Sequence, residues 1–327
     1  MTSNSIDLFQ SQDLFEVATH SLSSADVCHL ALVCKSWATA ADMPGIWRQH
    51  FIRELIPFVE GDNRDYKADF KTLYPMTLSG RKIEKYFGQF IGKIPDLSLS
   101  WYQKLSQPDP FEPEKTFADN YVLIVEPQSI KRTFSKDCSA VLDDKGNLTV
   151  SLRVTAEETD SATETDVEIP FTLANLKTLT YCPLSGKKNL PAFYYGNDQA
   201  AFAKGAPGPT KVNLYFMRKE SVRRTLSKNP LWQKQFLEKE GFQMTPLKPR
   251  VLLNTIQILD SGACLDGENS YVCTADHGTL CGRAIPFIIG RFAAGRGLKV
   301  IYKNDGFSHG AVPVADVGAV PVCAESS

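Results

Sequence analysis

The chain has 327 residues, of which 43% are hydrophobic and 22% charged, and its formal net charge is -1. Such a composition is globular, not disordered, and so even a balance excludes a global field that would draw the chain to nucleic acid or to an acidic membrane surface. No apolar run approaches the ~18 residues of a spanning helix, and the start MTSNSIDLFQSQD has no basic cluster followed by a long apolar segment, so neither a membrane protein nor a conventionally secreted one is expected.

Residues 12–51 form the first organised stretch. Ser11 and Asp13 suit a helix start, with a short polar cap and an acid in the first turn. Leu14, Phe15, Val17, Ala18 and Leu22 then recur at helical spacing and predict a first helix ending near Ser21. Ser23-Ser24-Ala25-Asp26 fits a capping box. The helix it opens carries a stripe of Val27, Leu30, Ala31 and Cys34, overlapped by a second of Leu30, Val33, Cys34 and Trp37. Asp42-Met43-Pro44 starts a third helix, which buries Ile46, Trp47 and Phe51. A surface helix needs one apolar face ~100° wide, whereas the second helix is apolar around most of its circumference. It therefore has two bodies to pack against, its own neighbours and something outside the stretch. A unit of about 40 residues is also near the lower limit for an independent core. Composition leaves open whether the outside body is the rest of this chain or another protein.

The run Leu22-Ser23-Ser24-Ala25-Asp26-Val27, followed by Leu30-Ala31-Leu32-Val33-Cys34-Lys35-Ser36-Trp37 and by Ala41-Asp42-Met43-Pro44-Gly45-Ile46-Trp47, resembles an F-box. The Val-Cys-Lys-Ser-Trp pentapeptide with Trp47 about ten residues on carries most of the likeness. The Leu-Pro dipeptide that usually opens the motif has no counterpart in Phe9-Gln10-Ser11-Gln12. The resemblance implies a helical unit that binds the Skp-type linker protein of a cullin–RING ubiquitin ligase.

A boundary is expected near residue 58, where Pro57, Gly61 and the polar run 60–65 interrupt the pattern, giving an N-terminal unit of residues 1–58 and a larger one of 59–327. Tyr66, Phe70, Leu73 and Tyr74 have helical spacing, as do Ile83, Tyr86 and Phe87; residues 88–113, with four prolines, read as irregular. Tyr121-Val122-Leu123-Ile124-Val125 is a strand apolar on both faces, and Leu148, Val150, Leu152 and Val154 alternate after a turn at 143–147. Acidic residues 156–168 read as a solvated hairpin tip, with Val167 and Ile169 resuming the strand and Leu173, Leu176 and Leu179 a short helix. Further on, residues 212–217 form a strand, and helices are expected over 230–240 and from Pro249 to a stop at Gly262. Strands follow at 271–273, 284–289, 298–302 and 310–317. The fold class is therefore α+β, a small three-helix unit followed by a larger mixed α/β domain.

Within that domain Gly262-Ala263-Cys264-Leu265, Tyr271-Val272-Cys273, Ile285-Pro286-Phe287-Ile288-Ile289-Gly290 and Gly310-Ala311-Val312 resemble the C-terminal part of the F-box proteins of environmental chlamydiae, as does the strand at 119–125. This likeness implies a bacterial effector acting in a host's cytosol. It assigns no chemistry.

The eight cysteines include no CxxC pair, which favours reduced thiols and a cytosolic setting. Cys264, Cys273, His277 and Cys281 are the tightest metal-ligand cluster, but zinc sites usually pair ligands two to four residues apart on separate knuckles. Cys281 with His309 and Asp276 or Asp316 is the thiol-nucleophile alternative. Residues 290–297 lack the Lys-Ser/Thr pair of a phosphate loop and read as a turn between strands. Arg218, Lys219, Arg223 and Arg224 are the densest basic patch and read as a solvated helix start. The expectation is a non-enzymatic adaptor without cofactor or metal. Its partners are a Skp-type linker, contacted by Leu14, Leu22, Val27, Leu30, Val33, Cys34, Trp37, Ile46 and Trp47, and an unknown protein substrate; nucleic acid and membrane are not expected. The alternative is a cysteine- or zinc-dependent enzyme with a helical docking module.

Overall fold

The structure, a computed structural model, describes residues 19, 21–33, 35–135, 138–152, 164–181, 193–195, 208–262, 271–280, 283–293, 297–302 and 310–316. Helix α1 (Ser24–Leu30) opens on the expected capping box: the Asp26 N–H donates to Ser23 Oγ and the Ser23 N–H to the Asp26 carboxylate, both at 3.2 Å. The helix then stops earlier than its apolar pattern suggests. The N–H groups of Leu32 and Val33 bond back to His29 and Leu30, three residues behind, and α2 (Lys35–Ala40) starts anew. Tightened bonds of this kind end an α-helix, so the expected stripe Leu30–Val33–Trp37 is divided among two short helices and a turn. Helix α3 (Pro44–Glu54) begins with proline in its first turn but without a side-chain cap. Asp42, expected to supply that start signal, pairs instead with Lys67 at 2.5 Å.

After residues 55–65, which are not helical, α4 (Tyr66–Met76) is capped by Asp65. It leads through β1 (Thr77–Leu78) into α5 (Gly80–Phe87). The stretch 88–113 is less irregular than its prolines suggest. It holds β2 (Gln89–Ile91), α6 (Leu99–Lys104) and β3 (Pro108–Asp109), and β4 (Glu112–Thr116) and α7 (Phe117–Asn120) follow directly.

Strand β5 (Tyr121–Glu126) is buried along its whole length, as its unbroken apolar run requires. The next two strands, β6 (Ser129–Phe134) and β7 (Cys138–Leu142), are not evident from the sequence. In β6 an inward-facing position is taken by Arg132, almost fully buried, so the alternation reads as broken. Then come β8 (Leu148–Leu152), β9 (Thr165–Pro170), α8 (Leu173–Thr180), β10 (Phe193–Tyr195) and β11 (Asn213–Arg218). Helix α9 (Pro230–Lys239), β12 (Gln243–Met244) and α10 (Leu247–Ser261) precede the terminal strands β13 (Tyr271–Leu280), β14 (Arg283–Ala293), β15 (Gly297–Tyr302), β16 (Gly310–Ala311) and β17 (Pro313–Asp316). Helix α10 starts two residues before Pro249 and stops at Gly262, whose φ of 75° is open to glycine. Of the hairpin tip expected over 156–168, residues 156–163 lie outside the described residues and 165–168 belong to β9; residues 294–296 also lie outside them.

One sheet has the order β1-β5-β11-β17-β12 and another β10-β15-β14-β13-β16, while β2-β6-β9 form a third. Period-two alternation assigns each face of these strands to a different core. Tyr121, Leu123 and Val125 of β5 join one apolar cluster with Leu214 and Phe216 of β11, Tyr271 and Cys273 of β13 and Ile288 of β14. Val122 and Ile124 face a second cluster with Met217, Val272, Phe287, Ile289 and the buried side of α10. The first cluster also contains Val27, Ile46, Trp47 and Phe51, so the N-terminal helices and the α/β body share one continuous core across residue 58. Gly88 shows how close the layers lie. Its φ is 135°, and a Cβ there would stand 2.6 Å from the Lys131 carbonyl oxygen of β6.

Candidate functional site

The helical unit is held by rings. Phe70 of α4 stands 5.6 Å from Trp47, 5.7 Å from His50, 5.1 Å from Phe51 and 5.0 Å from Tyr74. Trp47 Nε1 donates to the Ala41 carbonyl at 2.7 Å, which satisfies the one polar atom of a fully buried indole. Helix α3 thus spends its apolar face on this chain. Val27, Ile46 and Trp47, expected to contact a partner, are at most 2% exposed and present no surface to one. Leu22, Leu30 and Trp37 are half-buried against the same core. Val33 is different: it is 64% exposed, and its neighbour Leu32 is 82% exposed. Leu14 and Cys34 lie outside the described residues.

The early stop of α1 explains that exposure. Were the helix to continue, Val33 would lie on one stripe with Leu30 and Trp37, which are half-buried against the body. The tight turn at 31–33 instead carries two large apolar side chains outward between two short helices. Leu32 belongs to neither apolar stripe, so helical periodicity does not mark it. Its signal was the four-residue apolar run Leu30-Ala31-Leu32-Val33, which a short helix with one buried face cannot cover.

Beside the unit is a groove of about 220 Å³ lined by Thr19, Ile46, Gln49, His50, Ile52 and Arg53. Arg53 donates to the Leu22 carbonyl and to His50 Nδ1, the latter at 2.7 Å. Burial, and then the Arg53 charge, push His50 down to about 4, so the imidazole is neutral near pH 7. Asp26 is also held below the usual carboxylate range by its hydrogen bonds to Ser23.

Of the residues that could carry chemistry, only some are described. Cys273 is fully buried within β13, its side chain in the core. A bulge separates it from His277, and Cys264, Cys281 and His309 lie outside the described residues. Among the described residues no group of three His, Cys, Asp or Glu could hold a metal ion. Asp276 accepts the Leu247 N–H at the start of α10, and Asp316 stands opposite Tyr215 in the β11–β17 ladder.

The basic patch corrects its expected reading. Arg218 is not on a solvated helix but at the end of β11, 2% exposed. Its guanidinium donates to Asp109 at 3.0 Å, to Glu112 at 2.5 Å and to the carbonyls of Glu220 and Ser221. Asn120 also donates to Asp109, at 2.6 Å, and Arg250 to the Arg218 and Lys219 carbonyls. Hydrogen bonds from Lys115 and Arg218 hold Glu112 down at about 2. Every charge in this cluster has a partner, which is the condition for tolerating burial. The cluster braces β3, β4 and β11 together.

No curated protein and no solved structure matches the chain. A family comparison does find a relation, over the segment that runs from before the capped helix through the exposed turn to the penultimate residue of α3: residues 14–53 match the F-box-like family.

Proposed function

We propose that this protein is a non-enzymatic adaptor whose F-box-like segment docks on a Skp-type linker of a cullin–RING ubiquitin ligase, while the α/β body holds a protein substrate. The observation that carries it is the exposed Leu32–Val33 pair, within the segment that matches the F-box-like family. Two large apolar side chains held out on a capped, ring-supported unit suit recognition by insertion into a partner's apolar groove, with Leu30 and Trp37 at the rim. Val27, Ile46 and Trp47 support the tip from within and do not contact the partner. The likeness to chlamydial F-box proteins extends the reading to a bacterial effector acting in a host's cytosol, and for this the motifs at 262–265, 271–273, 285–290 and 310–312 are the support.

The test is a binding measurement between the full chain and a purified Skp-type linker. Val33→Asp replaces a side chain that is mostly in water, so folding should change by no more than about 0.5 kcal/mol. Burying the new carboxylate in an apolar groove should weaken linker binding by at least 2 kcal/mol, about thirtyfold. Wild-type protein that does not bind the linker, or Val33→Asp that binds equally, overturns the proposal.

A further inference from the structure

A second exposed apolar surface lies at a distance in sequence from the Leu32–Val33 tip. The chain leaves β11 and makes a single 3-10 turn, Arg223–Thr225, before entering α9. Leu226 is 44% exposed, Leu231 63% and Trp232 40%, three large apolar side chains within seven residues. Arg223 and Arg224 are exposed beside them, and among the described residues no carboxylate lies within ion-pairing distance of either. Lys228 stands 5.8 Å above the Trp232 ring.

The surface is held in place from below. Gln233 Nε2 donates to the Thr225 carbonyl at 2.8 Å, tying α9 to the turn. Trp232 stacks on Phe236 at 5.0 Å, and Phe236 is 6.0 Å from Phe111. Phe111, Val222, Arg223 and Arg224 in turn line a groove of about 330 Å³, whose floor includes the braced Arg218. Tryptophan and arginine are the residue types that carry most interface energy, and side chains already held by packing lose little entropy on binding.

We propose that this face binds a peptide segment that mixes acidic with leucine-like or aromatic side chains. Carboxylates meet Arg223, Arg224 and Lys228, and apolar side chains meet Leu226, Leu231 and Trp232. A nucleic-acid strand fits less well. Bases and phosphates would leave Leu226 and Leu231, two of the three exposed apolar side chains, without an apolar partner. A second copy of the chain fits less well too, because a two-fold contact would set the same cations against one another. The inference rests on the adaptor reading only in naming the segment as a substrate's; the binding itself does not depend on a linker.

The experiment pans a phage-displayed random peptide library on the full chain, with the Arg223→Glu, Arg224→Glu double variant as the counter-selecting surface. The affinity of a synthetic copy of the most enriched peptide is then measured by fluorescence anisotropy. The expected result is enrichment of Asp or Glu next to Leu, Phe or Trp, with affinity lowered at least about tenfold by the double charge reversal and by Leu231→Asp. Binding should also weaken as salt is raised. Both substitutions are on exposed side chains, and melting temperatures near wild type confirm that the variants fold. Enrichment without acidic residues, peptide affinity unchanged in both variants, or oligo(dT) binding in place of peptide binding overturns the inference. Val33→Asp should leave peptide affinity intact. A wild-type chain that binds the peptide and not the linker sinks the adaptor reading alone.

Discussion

Arg218→Met is the most informative perturbation of the body. The substitution keeps an unbranched side chain but removes the guanidinium from Asp109, Glu112 and the Glu220 and Ser221 carbonyls. The two carboxylates then fare differently. Glu112 is partly exposed and keeps Lys115 at 2.9 Å, so it should contribute little to the loss. Asp109 has no exposed surface and keeps only neutral donors, Asn120 at 2.6 Å and the Phe111 N–H at 3.0 Å. A sealed charge stranded in this way costs about 3–5 kcal/mol. Guanidinium denaturation followed by tryptophan fluorescence reads that loss, since Trp101 packs 5.7 Å from Phe216, two residues before Arg218. Adding Asp109→Asn should recover about 1–3 kcal/mol by removing the stranded charge, whereas adding Glu112→Gln should recover much less. A loss below about 1 kcal/mol for Arg218→Met, or equal recovery from the two second substitutions, refutes the assignment of the cost to Asp109.

Two further outcomes follow from the packing around α3. Phe70→Ala removes the ring shared by Trp47, His50 and Phe51; it should cost about 3–5 kcal/mol in thermal or chemical unfolding and also weaken linker binding, because Trp47 loses its backing. Linker affinity unchanged in that variant would show that the tip stands without the shared core. His50, held near 4 in the folded chain against an ordinary value of about 6.5, takes a proton more readily when unfolded. Stability should therefore be fully present above about pH 6.5 and fall as the pH is lowered toward 4, by up to about 3 kcal/mol from this residue. His50→Leu should flatten that part of the stability profile, and an unaltered slope would exclude His50 as its source.

Much of the local structure is written in short-range chemistry. Ser23 and Asp26, Gly262, Pro230 and the alternation at 148–152 each act through hydrogen bonds or backbone restrictions within a few residues, and their elements stand where these signals put them. The F-box-like pattern at 14–53 is legible for the same reason, since it consists of closely spaced residue types. Strand β6 was hidden because a buried arginine occupies a core position, and β2 was hidden because its ladder partner, β6, lies well along the chain.

Which apolar residues face outward was decided only by the tertiary structure. By sequence alone Val27, Val33 and Trp47 are equivalent greasy positions of one helical unit. Phe70, brought in from α4, closes over one side of that unit and consumes Trp47, while the tight turn at 31–33 swings Leu32 and Val33 away from it. Arg218 follows the same logic. Its charge is plain in the sequence, but its burial depends on Asp109 and Glu112, more than a hundred residues earlier, arriving within hydrogen-bond distance. Residue order specifies the bonds a chain makes with its near neighbours; only long-range packing determines which side chains are left for a partner.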